Sequence, residues 1–164
     1  MFYFQKAFQE SKKSIIEFEG ITYHRYFSVK IETNSKLFFK FMKSNTLRSQ
    51  AIVIIFPKNF NGRVFCGDKE LPIKKSSFPK LIFWEDSAPK SFEIQIIDYE
   101  GTVEIANGAD PIGDKQICQY LALGCAMIVD EIGKNKYRFS CNDYENNVDC
   151  DDLIFELTVT HVQN

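Results

Sequence analysis

Alternation of apolar and polar residues, repeated along the second half of the chain, is the feature that most restricts how this sequence folds. Phe92, Ile94 and Ile96 are separated by Glu93, Gln95 and Ile97. After Tyr99-Glu100-Gly101, Val103 and Ile105 are separated by Thr102, Glu104 and Ala106. Successive side chains of a strand point to opposite faces, so a period of two marks a strand with one buried side. The two runs flank a short link containing glycine and predict a β-hairpin. Met127–Ile132 and Tyr137–Cys141, joined through Gly133-Lys134-Asn135-Lys136, predict a second hairpin. Leu153, Phe155, Leu157 and Val159 predict a last strand, with Glu156, Thr158 and Thr160 on its other face.

Composition agrees with the periodicity. The 164 residues contain 18 Ile and 16 Phe but only 8 Leu and 7 Ala, a balance that suits pleated sheets over helices. Further strands are expected at Ile15–Phe18, Tyr23–Glu32, Lys36–Met42, Gln50–Phe56 and Lys80–Trp84. Turn signals fall at Gly20, Asn34-Ser35, Asn59–Gly62, Gly67-Asp68 and Asn107-Gly108. The sum is an all-β chain of about ten strands, an antiparallel β-sandwich of jelly-roll-like type. Ile117, Tyr120, Leu121 and Gly124 are spaced for a short helical crossover within Lys115–Gly124. With no repeat and no Pro/Gly/Ser-rich linker, residues 1–164 are read as one domain.

Several function classes lose ground at once. The longest apolar run, Ala51–Phe56, is six residues and ends at Pro57, far below the roughly 18 residues of a membrane helix. No membrane span is expected. The first residues lack a secretory pattern, and five cysteines, an odd number without a C-x-x-C pair, favour unbridged thiols in a reducing compartment. A cytoplasmic setting is expected, with export by another route left open. No G-x-S-x-G, P-loop or H-E-x-x-H occurs, so the chain is expected not to be an enzyme. Glu85-Asp86 beside Trp84 is the one carboxylate pair suggestive of a glycosidase cleft, but neighbours in a strand point to opposite faces.

Net charge is −2, yet it is unevenly laid out. Residues 1–82 carry 15 Lys and Arg against 6 Asp and Glu, whereas residues 83–164 carry 5 against 16. Either the halves interleave and neutralise one another, or complementary faces join copies of the chain into an oligomer or filament. The acidic half argues against nucleic acid as a partner.

The densest acidic stretch is Asp143-Tyr144-Glu145-Asn146-Asn147-Val148-Asp149-Cys150-Asp151-Asp152. In an extended segment Asp143, Glu145, Asn147, Asp149 and Asp151 share one face, with Asp152 beside them. Ca²⁺ accepts about 6–8 oxygen ligands in flexible geometry and suits such a set. The stretch is not an EF-hand, because Val148 and Ile154 stand where Gly and Glu are needed. A loop folding back would use only some of these groups, with Asn107, Asp110 or Asp130 completing the shell; a solvated acidic turn is the plainer alternative. Cys141 precedes the stretch and Cys150 lies within it; the two are either bridged or buried as small apolar residues.

Cys141-Asn142-Asp143 followed by Asp149-Cys150-Asp151-Asp152-Leu153-Ile154-Phe155 resembles the ending of certain bacterial β-sandwich domains of unknown function. Those close with an acidic loop, Asn/Asp-Asp, two aliphatic residues and Phe. The resemblance covers about the last 40 residues. It implies calcium, held by Asp149, Asp151 and Asp152, and a surface or adhesive setting. The expected function is thus non-enzymatic calcium binding, self-assembling or structural in role. The alternative is a calcium-dependent lectin-like module in which Trp84 and Tyr144 hold a carbohydrate.

Overall fold

The computed structural model describes residues 4–45, 47–116, 118–120, 125–143 and 148–162. Helix α1 (Phe4–Ser11) leads into strands β1 (Ile15–Phe18), β2 (Ile21–His24), β3 (Phe27–Ile31), β4 (Ser35–Ser44) and β5 (Gln50–Ile55). β6 (Arg63–Cys66), β7 (Lys69–Leu71), β8 (Lys80–Trp84), β9 (Ser91–Ile97) and β10 (Gly101–Ala109) follow. The chain continues through β11 (Gln119–Tyr120), β12 (Ala126–Gly133), β13 (Lys136–Asn142) and β14 (Leu153–Thr160).

Two antiparallel sheets result, giving a β-sandwich-like fold. The larger runs β1-β2-β12-β13-β14-β4-β9-β6-β7. In the smaller, β10 is central: β5 and then β8 lie on one side, and β3 and β11 share the other. One apolar core joins residues of both sheets, among them Leu37, Phe39, Ile94, Phe139 and Phe155 from the first and Ile52, Ile54, Val103 and Ile105 from the second. Phe139 and Phe155 stack with centroids 4.5 Å apart. β5 is buried on both faces, because Val53 and Ile55 enter a second cluster under Tyr26, Ile82 and Tyr120. A third cluster, Phe4, Phe8, Tyr23, Ala126 and Cys150, docks α1 on the outside of the large sheet.

The hairpin expected at 127–141 forms as β12–β13, and β8 has the bounds its sequence predicts. Other expectations are corrected. The runs 92–97 and 101–109 form no hairpin: β9 pairs with β4 and β6, and β10 with β3, β5 and β11. The link is a corner between sheets. Asp98 takes φ 56°, Tyr99 packs on Phe60 at 4.8 Å, and the Tyr99 hydroxyl donates to the Thr102 carbonyl at 3.0 Å. A Cβ on Gly101 would meet that hydroxyl at 2.5 Å, at a φ of 150°, so only glycine fits the corner.

Nor is there a helix in the described part of 115–124; Gln119 and Tyr120 are the short strand β11 instead. Upstream, the Asp110 carboxylate accepts the N–H groups of Ile112, Gly113 and Lys115 at 2.9–3.0 Å, which holds this approach as a loop. The segment 23–32 divides into β2 and β3, which belong to different sheets. Helix α1 and the β6–β7 hairpin were not expected. With β11 and the division of 23–32, that hairpin raises the count from about ten to fourteen strands, beside one helix, among the described residues. No helix among those residues is long and apolar enough to cross a membrane.

Candidate metal site

The acidic stretch lies between β13 and β14, and the two strands' pairing sets its ends. Cys141 and Leu153 are ladder partners. The Asp152 N–H donates to the Cys141 carbonyl at 3.1 Å, and the Asp143 N–H donates to Asp152 Oδ2 at 2.8 Å. The Asp149 N–H donates to Asn142 Oδ1 at 3.2 Å. On the other flank β4 contributes its end: the Asn45 N–H donates to the Asp152 carbonyl at 3.0 Å and Asn45 Nδ2 to Asp151 Oδ2 at 2.7 Å. Lys43 Nζ stands 3.5 Å from the same oxygen.

Of the two arrangements open to this stretch, an extended ribbon and a loop folding back, the backbone takes the second. Cys150 adopts φ 52°, a left-handed conformation that disfavours residues with a Cβ. It turns the Cys150 side chain into the cluster beneath α1. The flanking carboxylates of Asp149, Asp151 and Asp152 then offer oxygens all within 4.8 Å of one another. Convergence therefore comes from a turn, which brings Asp152 to the alternate pair Asp149 and Asp151. Asp143 is buried, 2% exposed, and stands outside that triad. Glu145, Asn147 and Tyr144 lie outside the described residues.

The electrostatics fit a crowded site. Burial, with the charges of Asp143, Asp149 and Asp151, pushes the Asp152 carboxyl from 3.8 up to about 6, although the Asp143 N–H works against the shift. Burial, with the charges of Asp149, Asp152 and Asp151, pushes the Cys150 thiol up to about 12, and its side chain belongs to the apolar cluster under α1. Among the described residues the gathered donors are carboxylate oxygens, which suit a hard cation such as Ca²⁺ better than zinc.

The three candidates for completing the shell stand elsewhere. Asn107 Nδ2 donates to the Asn142 carbonyl at 2.7 Å. A trans peptide directs its C=O and N–H oppositely, so the Asn142–Asp143 peptide separates Asn107 from Asp152. Asp110 spends its carboxylate on its own loop; three backbone N–H groups hold its pKa down against the effect of burial. Asp130 is exposed on β12, opposite Arg138. Trp84 is half-buried on β8, in the other sheet. Glu85 binds Lys90 at 2.7 Å, and Asp86 binds Lys115 at 2.6 Å and Ser49 at 2.7 Å, so both carboxylates of that pair are engaged. Cys141 faces the core between the sheets and Cys150 the cluster under α1; no disulfide links the five cysteines.

One arrangement has no signal in the sequence. Ser35 Oγ lies 2.9 Å from His161 Nδ1, and Glu32 Oε2 lies 3.9 Å from the same nitrogen. It is not a nucleophilic triad, where serine and acid address different ring nitrogens. Ser35 is fully buried and its Oγ also accepts the Glu32 N–H at 2.9 Å. The three residues lock the turn into β4 against the end of β14. No family model matches this chain, and no curated protein or solved structure matches it.

Proposed function

We propose that this protein is a non-enzymatic binding protein whose turn 149–152 takes up Ca²⁺ through Asp149, Asp151 and Asp152. The observation carrying this reading is the convergence of three carboxylates within 4.8 Å, together with the raised Asp152 carboxyl, which has no basic side chain among the causes of its shift. A divalent cation relieves that repulsion, and water supplies the remaining ligands. In this reading a jelly-roll-like sandwich presents the ion at one end of β4, β13 and β14. Its role is structural, with the bound ion fixing the acidic loop for contact with a second copy. The ion pairs Lys36–Glu93 and Lys43–Asp151 already join the basic and acidic halves locally, so the reading rests on the loop and not on whole charged faces.

The test is a thermal melt in EDTA and in millimolar Ca²⁺, with light scattering on the same samples. Binding to the native state raises stability by about 2.7 kcal/mol at a hundredfold excess over Kd. A higher midpoint with larger particles is the expected result. A higher midpoint at constant size removes the assembly role, and no shift removes the calcium site.

A further inference from the structure

The small sheet ends in β8, whose free edge carries a distinct chemistry. The Glu85 N–H donates to the Gln50 carbonyl and the Phe56 N–H to the Pro79 carbonyl, each at 2.8 Å. In an antiparallel ladder, bonded and non-bonded pairs alternate. Leu81 and Phe83 therefore bond to β5, and the backbone groups of Lys80, Ile82 and Trp84 point away from it. The Trp84 carbonyl is taken by Ser87 and Ala88. The N–H groups of Lys80, Ile82 and Trp84 and the carbonyls of Lys80 and Ile82 have no partner strand, since β8 pairs only with β5 among the described residues.

A groove of about 360 Å³ runs beside this edge, lined by Pro72, Lys74, Phe78, Lys80, Leu81 and Ile82. The segment before β8 contributes to its lining, and Phe78 of that segment is 68% exposed. Lys74, Lys75 and Lys80 have no acidic partner among the described residues; Lys80 lies over the Tyr120 ring at 5.0 Å. The edges of the large sheet differ. β1 and β7 are four and three residues long, and Glu70 of β7 is tied to Arg63.

We propose that β8 is a docking edge for an extended acidic segment of a partner protein, which adds to the small sheet as a further strand. Backbone pairing supplies the affinity and alternate side chains the selectivity. Apolar residues of the incoming strand meet Phe78, Ile82 and Trp84, and its carboxylates meet Lys74 and Lys80. Edge lysines ordinarily deter strand pairing; here they select an acidic strand and repel basic ones. A second copy is a poorer occupant, since pairing β8 with β8 gathers the lysines of both copies in one groove.

The experiment titrates isotope-labelled protein with three blocked octapeptides. One alternates Val and Glu, one alternates Val and Lys, and the third is the Val/Glu peptide N-methylated at alternate residues. The Val/Glu peptide is expected to shift and protect the amides of Lys80, Ile82 and Trp84, leaving those of Leu81 and Phe83, already bonded, little changed. Charge inversion, N-methylation, or the surface variant Lys74→Glu/Lys80→Glu each weakens binding about tenfold or more; the variant accepts the Val/Lys peptide instead. Failure of the Val/Glu peptide to bind at millimolar concentration overturns the proposal. So do equal binding of all three peptides, shifts confined to other strands, and β8 shifts that appear on raising protein concentration alone.

Discussion

Two acidic side chains a few residues apart, Glu156 and Asp152, meet opposite fates. Glu156 lies on β14, 8% exposed, with Arg138 at 2.8 Å and Lys136 at 3.5 Å from the adjacent strand. The Arg138 hydrogen bond holds its pKa below the usual glutamate value. Asp152 sits one turn earlier among like charges, and its pKa rises to about 6. Burial penalises both carboxylates; what differs is the neighbour. A compensated carboxylate is part of the fold, whereas a half-buried uncompensated one stores repulsion that a ligand can release.

Removing the compensation is the largest way to disturb this contrast. Arg138→Ala leaves Glu156 with Lys136 alone and is expected to cost about 2 kcal/mol in a denaturant titration at neutral pH, less than a fully buried pair because Arg138 is half exposed. An unchanged midpoint would make Glu156 as loosely held as the exposed aspartates. Asp152→Asn should act the other way. The amide keeps an acceptor for the Asp143 N–H and sheds the charge, so stability in EDTA is expected to rise by about 1 kcal/mol, and the Ca²⁺-dependent shift to vanish. A loss of stability in EDTA would show that the carboxylate is not under repulsion.

The two groups also give pH slopes of opposite sign. Native Asp152 binds a proton that the unfolded chain has lost between pH 3.8 and about 6, so its contribution lowers stability as pH rises through that window. Glu156 contributes stability that is present above the ordinary glutamate pKa of 4.5 and is lost as pH falls through its depressed value. Melts across this range should show the first slope disappear in Asp152→Asn and the second in Glu156→Gln. The smallest effect expected is that of Asn45→Ala. It removes one exposed hydrogen bond to Asp151 at a cost of about 0.5 kcal/mol, readable as a modest change in Ca²⁺ midpoint.

Much of the fold was legible because burial on one face forces alternation, as in β9, β13 and β14. β5 was legible for a different reason, as an apolar run buried on both sides. Alternation does not say which strand is the partner, however. The link 97–101 reads locally as a hairpin, and it is the packing of Tyr99 on Phe60 that makes it a corner. Helix α1 was hidden because Phe4 and Phe8 become a helical pair only against Tyr23. At the site, acid clustering was visible and the resemblance implied Asp149, Asp151 and Asp152, but the backbone geometry that gathers them was not. It depends on the backbone of Cys150 and on Asn45, which only the β4–β14 pairing brings to Asp151.

That same pairing bears on how the molecule is made. β14 is an inner strand of the nine-stranded sheet, set between β13 and β4, and its partners on β4 lie more than a hundred residues earlier. Contacts this distant in sequence form slowly, because loop closure precedes any gain from pairing. During synthesis β4 and β9 emerge early with an unfilled seam, and that seam persists until residues 153–160 leave the ribosome. The seam-exposed nascent chain is therefore the state most open to mispairing and to chaperones.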